Sequence, residues 1–470
     1  MQMDPRDALF LNSERTHVTQ FFLTGYAFFS DGDPSDDLSP TEITDWLAER
    51  INALPELHER VVRVPWDLNH PYVEQDPDFS PSHHITFHDV TDWGSLRALI
   101  PTLVQQRIDR GLPQWHLHVA RGVVGVAGRQ EPATVVMVKF HHSIADGYES
   151  VRIAQKLFSV SLPVHLSTKT SRPRSRTELF CRSVLLLPIT IASFARKYWQ
   201  AKTTGQDMIK AEVARGDYHV KPLQSSSISL IGKLGPQREF DCIVVSVAQM
   251  REVKSALGGV TINDILLAIV SIGLSRYLKE QGEEPSHSLG AAVPISLREL
   301  VPELTSKNRF VACGVDLHSD TPDPVDRIRL IHNSAVESIK EATSPGHIFF
   351  FKRISTVPGF IFRLATRLQS RRQESSRTSA IHTGVSNIPK GVSDWKLGNS
   401  TAAASFGAIS LEGNLGVAHT IDTIGDVAMI NITADPELLT DIGRYRELLD
   451  EAWSELRECA LTRAENQLPS

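Results

Sequence analysis

The chain has 470 residues, 41% of them hydrophobic and 22% charged, with a formal net charge of −6. That length exceeds the usual single-domain range of about 100 to 200 residues and points to two domains with large cores. The composition excludes a disordered chain, a polytopic membrane protein and a small disulfide-stapled fold, and the mild acidity makes nucleic acid an unexpected partner.

The four cysteines, Cys181, Cys242, Cys313 and Cys459, lie far apart with no CxxC or Cys/His metal spacing, so they read as thiols of a reducing compartment and no structural zinc is expected. The opening segment, Met1 to Leu11, places Asp4, Arg6 and Asp7 ahead of any apolar run, unlike a secretory signal. A cytoplasmic location is the expectation.

In the first half, Thr134 to Phe140 is a β-branched apolar run that predicts a buried strand, followed by a polar turn from His141 to Gly147. A helix is expected from about Tyr148, with Val151, Ala154, Leu157 and Phe158 on one face. Residues 171–235 mix Ser, Thr, Pro, Arg and Lys with one apolar run and read as the connection between domains 1–170 and 236–470. Within it, Ser183 to Ala195 is shorter than the roughly 18 apolar residues a spanning helix needs, and it contains Pro188. Its flanks carry Arg172, Arg174, Arg176 and Arg182 before it and Arg196, Lys197, Tyr198, Trp199 and Lys202 after it, a pattern that suits a segment lying at a membrane surface.

The second half opens with a strand-like run from Phe240 to Val247 and a helix from Thr261 to about Lys279. Strands are expected at Gly290–Ser296, Phe310–Leu317, Ala380–Asn387, Ala403–Leu411, Gly416–Ile421 and Ala428–Ile432, and helices at Val325–Ala342 and Pro436–Cys459. Phenylalanines and arginines interleave from His347 to Arg372, which serves equally for domain packing or membrane contact. Mixed sheets covered by helices imply an α/β architecture in two similar halves.

The turn after the first buried strand gathers His141, His142, Asp146 and Gly147 within seven residues. Neutral imidazole takes a hydroxyl proton and returns it to a leaving group, as transfer between an alcohol and a thioester requires. Asp146 is placed to hold the loop through a buried ion pair, and Gly147 permits a tight backbone path. Two adjacent histidines by themselves read more readily as core residues beside a helix N-cap. The whole spacing, HHxxxDG, is similar to the signature of the chloramphenicol acetyltransferase-like superfamily.

Further segments narrow the likeness. Met3 to Leu11, Arg60 to Val64, Pro71 to Phe79, the strand to His88, and Asp109 to Trp115 resemble the bacterial-type wax ester synthase/acyl-CoA:diacylglycerol acyltransferase family, as do Thr261 to Asp264, Val293 to Arg298, Asn308 to Phe310 and Ser386 to Pro389, in the same order along nearly the whole chain. The resemblance implies two acetyltransferase-like domains with an active-site tunnel between them and His142 as general base. It also implies a fatty acyl-CoA donor with no further cofactor, and a long-chain alcohol or diacylglycerol acceptor, hence wax ester or triacylglycerol synthesis. The chain departs from the family's usual Pro-Leu-Trp at Pro113-Gln114-Trp115 and from Ser-Asn-Val-Pro-Gly at Ser386 to Lys390, differences that bear on substrate preference.

The likeness implies that Asn263 faces the pocket, where it would donate a hydrogen bond to the oxyanion. Asp264 reads as the N3 partner of Thr261 in a capping box, or as part of the substrate pocket. Trp115 is a candidate channel residue or simple core packing. Ser386 and Asn387 are candidate substrate contacts or a strand-ending turn. His83, His84 and His88 lack the carboxylates of a metal site. Asp146 is expected to pair with Arg298 or Arg309. Lipid substrates would explain the apolar basic segments and a peripheral position at a membrane or lipid droplet. The competing readings are another acyltransferase of the superfamily and a catalytically idle lipid-binding protein.

Overall fold

The computed structural model describes residues 1–32, 37–160, 175–219, 222–354, 357–392 and 394–466. The first half runs α1 (Pro5–Ser13), β1 (Phe21–Ser30), α2 (Pro40–Asn52), β2 (Glu59–Val62), β3 (Tyr72–Gln75), β4 (Ile85–His88), α3 (Trp93–Gln105), β5 (Trp115–Val123), β6 (Ala133–His141) and α4 (Gly147–Phe158). Then come α5 (Arg176–Gln200), a π-helical turn (Ala201–Gly205) and α6 (Gln206–Arg215). The second half runs β7 (Glu239–Ser246), α7 (Val247–Leu257), α8 (Ile262–Glu280), β8 (Gly290–Ser296), β9 (Phe310–Asp316), α9 (Pro324–Ala342), α10 (Pro345–Ile354), α11 (Gly359–Ser375), β10 (Thr383–Pro389), β11 (Lys396–Leu397), β12 (Ser400–Ile409), β13 (Val417–Ile424), β14 (Val427–Ala434) and α12 (Ile442–Glu465).

Two six-stranded sheets organise these elements, in the orders β11-β12-β1-β6-β5-β4 and β7-β14-β13-β10-β8-β9. Both are mixed: β4 runs parallel to β5, and β10 parallel to β13 and β8. β1 is buried along nearly its whole length because helices cover both faces of its sheet. Phe22, Tyr26 and Phe28 pack toward α2 and α4, while Leu23, Ala27 and Phe29 pack toward α3. In the second half α8 is buried all round, from Asp264 to Leu274, inside the largest apolar cluster.

The expected boundaries at 170 and 235 do not divide the sheets. β11 and β12, from the second half, complete the first sheet, with β12 antiparallel to β1 from Phe22↔Ile409 to Ser30↔Ser400. Without β12, the apolar β1 would be an open sheet edge. Lys390, just after β10, forms a fully buried ion pair with Asp422 of β13 at 2.7 Å. The aromatic ring of Tyr26 in the first sheet lies 6.0 Å from the same ammonium.

Two other expectations change. The helix predicted at Pro436–Cys459 starts at Ile442, where Asp441 accepts the Arg444 N–H at 2.8 Å. The apolar run at Ser183–Ala195 lies inside α5, which continues through Pro188 and the π turn into α6, so that the helix over Arg176–Arg215 is long and apolar enough by length and composition to cross a membrane. Only 11% of its apolar window is buried. The shorter span read from the sequence arose from treating Pro188 as a break. Arg172 and Arg174 lie outside the described residues. The aromatic and arginine stretch at 347–372 forms α10 and α11, which pack on α5 and α1, with Phe349, Phe350 and Phe351 half-buried.

Candidate active site

β6 delivers His141 at its C-terminal end, and the chain turns before α4 begins at Gly147. His141 is buried. Its Nδ1 accepts the Ser143 N–H at 3.0 Å and lies 2.8 Å from Ser143 Oγ, which puts the ring proton on Nε2, facing Glu14 Oε1 at 3.6 Å. Burial alone would raise the Glu14 carboxyl; the His141 contact and the charges of Arg107 and Arg110 win and hold it below its ordinary value.

His142 is only half-buried. Its ring stacks on Phe10 of α1 at 4.8 Å between centroids and tilts against Phe22 of β1 at 4.6 Å. Its backbone N–H donates to the Gln20 carbonyl at 2.8 Å, and its carbonyl accepts the Asn308 amide at 2.5 Å. Nδ1 is sealed from solvent without a hydrogen-bond partner among the described residues. Burial first, then the neighbouring His141, lowers the imidazole to about 4, against the opposing influence of Asp146 and Asn308.

Asn308 is held in turn by Asp7 of α1. The Asp7 carboxylate accepts Ser306 Oγ at 2.6 Å, the N–H groups of Lys307 and Asn308 at 3.0 Å each, and Asn308 Nδ2 at 2.9 Å. Burial nevertheless raises its affinity for a proton. The helix that stacks Phe10 on His142 thus also anchors the second-half loop that grips the His142 carbonyl. Neither Asp7, Phe10 nor Glu14 stood out from the sequence as a site residue, although all three lie in or beside the Met3 to Leu11 segment that carries part of the resemblance.

Asp146 makes no hydrogen bond to either histidine. Oδ1 caps α4 by accepting the Glu149 N–H at 2.9 Å and also accepts Arg298 Nη2 at 2.8 Å, while Oδ2 accepts the Arg309 backbone N–H at 3.1 Å. Of the two candidate arginines, Arg298 forms the ion pair, while Arg309 contributes only its main-chain N–H. Gly147 serves close approach rather than an unusual turn, since a Cβ there would meet Ile388 Cδ1 at 2.9 Å. Ile388 thus brings the end of β10 against the loop. Its neighbours Ser386 and Asn387 are half-buried, with Asn387 Oδ1 sealed and unpartnered among the described residues.

Other candidates sit elsewhere. Trp115 is buried in the first-half core, stacked on His84 at 4.4 Å and donating its indole N–H to the Leu57 carbonyl at 2.6 Å, so it packs and lines neither of the cavities below. Gln114, beside it, closes the preceding turn by donating to the Asp109 and Leu112 carbonyls at 2.8 Å. Asp264 completes a capping box with Thr261 and lies 2.8 Å from His332 Nδ1. Asn263 is half-buried at the second position of α8, and its side chain makes no hydrogen bond among the described residues. His84 binds the Trp115 carbonyl at 2.9 Å and His88 lies 3.0 Å from His118. Among the described residues, no group of three or more His, Cys, Asp or Glu is placed to hold a metal ion.

Two cavities lie near the loop. One of about 680 Å³ borders Glu14 and the exit of α1. The other, of about 520 Å³, borders Ser143 and Ile144 and reaches Leu186 and Thr190 of α5.

Over residues 3–266 the sequence matches the profile of the wax ester synthase/diacylglycerol acyltransferase catalytic domain. The chain belongs to that family. It is an acyltransferase with the family's paired-domain fold. A putative diacylglycerol O-acyltransferase of Mycobacterium tuberculosis is 23% identical over 430 residues, covering 88% of this chain and 82% of the relative. The O-acyltransferase WSD of Acinetobacter baylyi is 25% identical over 353 residues, 72% of each. The solved wax ester synthase/diacylglycerol acyltransferase of Marinobacter aquaeolei VT8 superposes with a TM-score of 0.67 at 18% identity, covering 98% of this chain and 100% of that one.

Proposed function

We propose that this family member transfers a fatty acyl group from acyl-CoA to a long-chain alcohol or diacylglycerol, with His142 as general base. With Nδ1 sealed in the protein wall, Nε2 is the nitrogen left to meet a substrate hydroxyl. It takes the hydroxyl proton as the alcohol oxygen attacks the thioester carbonyl. The tetrahedral intermediate then collapses, the C–S bond breaks, and the imidazolium returns the proton to the departing thiolate. The observation that carries this reading is the half-buried imidazole held by Phe10, Phe22 and Asn308 while Asp146 is engaged elsewhere.

Ser143 is read as the residue that fixes the His141 ring, since it is buried with both its N–H and its hydroxyl on that imidazole. Direct transfer without an acyl-enzyme fits that arrangement. Asn263, free of other hydrogen bonds, is the proposed oxyanion donor, and Ser386 and Asn387 the proposed substrate contacts on the β10 side.

The cavity that reaches α5 is the proposed acceptor entry. α5 exposes Leu185 and Ile189, 76% and 67% accessible, with Arg182, Arg196 and Lys197 around them. An exposed apolar face with cationic flanks supports peripheral contact with a membrane or lipid-droplet surface, and the four free cysteines support a cytoplasmic side.

The test is product analysis with labelled palmitoyl-CoA and either hexadecanol or dipalmitoylglycerol. Labelled wax ester or triacylglycerol supports the reading and ranks the acceptors. Folded protein that esterifies neither overturns it in favour of another acceptor alcohol or a catalytically idle lipid binder.

A further inference from the structure

The cavity of about 680 Å³ beside Glu14 holds far more positive than negative charge. Arg63, Arg110 and Lys233 face it from the first half and the interdomain segment, and Arg363, Arg367 and Arg371 face it from α11. The available carboxylates are already engaged. Glu14 is paired with Arg110 at 3.0 Å and stands near His141. Glu374 is paired with Arg15 at 2.5 Å, and Asp67 is shared between Arg63 and Arg363. Lys233, Arg367 and Arg371 have no carboxylate partner among the described residues.

The arginines press on one another. Burial first, then Arg110 and Arg367, lowers Arg63 below its ordinary value, and burial followed by Arg367 and Arg63 does the same to Arg363. Arg363, Arg367 and Arg371 are also spaced four apart on one helix, an arrangement that destabilises an isolated helix by about 0.2–0.5 kcal/mol per like-charged pair. A concave site of this size, inside the roughly 300–1,000 Å³ usual for small ligands, that concentrates unpaired guanidinium groups is built for a polyanion.

The place of the cleft narrows the polyanion. Its wall is the exit of α1, the helix that stacks Phe10 on His142, and its Glu14 lies 3.6 Å from His141. The lipid-side cavity meets the same loop through Ser143 and Ile144. Resting on the acyl-CoA donor proposed above, we propose that the arginine cleft binds the phosphorylated nucleotide end of the donor, with Lys233, Arg367 and Arg371 taking phosphate oxygens. The same phosphate chemistry occurs in anionic lipid headgroups, and the experiment separates the two sources.

Calorimetric titration with adenosine 3′,5′-bisphosphate measures the site without turnover. The wild type is expected to bind it with an affinity that weakens as salt rises, and the double variant Arg367→Glu/Arg371→Glu, both on the surface, is expected to bind at least about tenfold more weakly. The same variant should raise the KM for palmitoyl-CoA while leaving transfer from palmitoyl-N-acetylcysteamine, which lacks the nucleotide, unchanged. No nucleotide binding by the wild type overturns the proposal. So does equal loss with both donors, or a variant that loses only its binding to phosphatidylglycerol vesicles. Nucleotide binding in a protein that transfers no acyl group would leave the cleft standing and remove the proposed function instead.

Discussion

Asp146 Oδ1 lies 2.8 Å from Arg298 Nη2, so the aspartate of HHxxxDG in the first half is held by an arginine of the second, with side chains only 4% and 16% accessible. Removing one partner of such a pair strands the other charge, at a cost of about 3–5 kcal/mol. Asp146→Ala and Arg298→Ala are each expected to lower denaturant stability by that order. The double variant should cost clearly less than the sum. Strict additivity, measured by chemical denaturation, would show that the pair does not join the halves.

Burial, with His141 adding, lowers His142 to about 4. A base works in its neutral form, so kcat/KM for acyl transfer should hold through neutral pH and fall only as pH approaches about 4, well below the ordinary histidine value of about 6.5. An acid limb near 6.5, reversible on return to pH 7, would show that the imidazole is more solvated than its aromatic sandwich implies.

Stability should follow the opposite group of histidines, those outside the site. Burial lowers His118 to about 2, His382 to about 4 and His419 to about 3. Their folded values lie below the unfolded value of about 6.5, so the unfolded chain binds more protons between the two. The stability they contribute is complete above about pH 6.5 and is lost as pH falls, by up to about 1.4 kcal/mol per group per pH unit. Tm should therefore drop steadily from pH 7 to pH 5, and a flat profile would contradict the buried neutral state of these rings.

Much of this was legible in the sequence. The apolar run ending at His141, the polar turn and the amphipathic helix gave β6, the loop and α4 almost to the residue, because burial on one side sets local periodicity. Arg298 and Arg309 were both legible as candidate partners of Asp146, but which side chain forms the ion pair was not, because the choice rests on how the two halves dock. The contribution of β12 to the first sheet was not, since an apolar strand does not announce which edge it will pair with. Asp7, Phe10, Glu14 and Asn308 escaped for a related reason: their roles depend on contacts across up to about 300 residues of chain, such as the bond between Asp7 and Asn308. Trp115 illustrates the converse, a motif residue whose indole satisfies the core and touches neither cavity.

Asn263 and Asn308 are expected to separate kinetically. Asn263→Ala, if its amide meets the oxyanion, should cut kcat by about 10²–10³ with KM nearly unchanged. Asn308→Ala frees the His142 carbonyl and leaves buried Asp7 short of a donor, so it should lower both kcat and thermal stability, the latter by about 1–3 kcal/mol. Wild-type kcat in Asn263→Ala would remove that residue from the chemistry.

The most direct test of the central claim compares wild type with His142→Ala in acceptor-dependent release of CoA from palmitoyl-CoA with hexadecanol. General-base catalysis contributes about 10²–10⁴ in rate, so the variant, still folded by circular dichroism, should lose activity by that factor and retain its binding of palmitoyl-CoA. A folded His142→Ala protein that releases CoA at close to the wild-type rate would show that another group takes the hydroxyl proton.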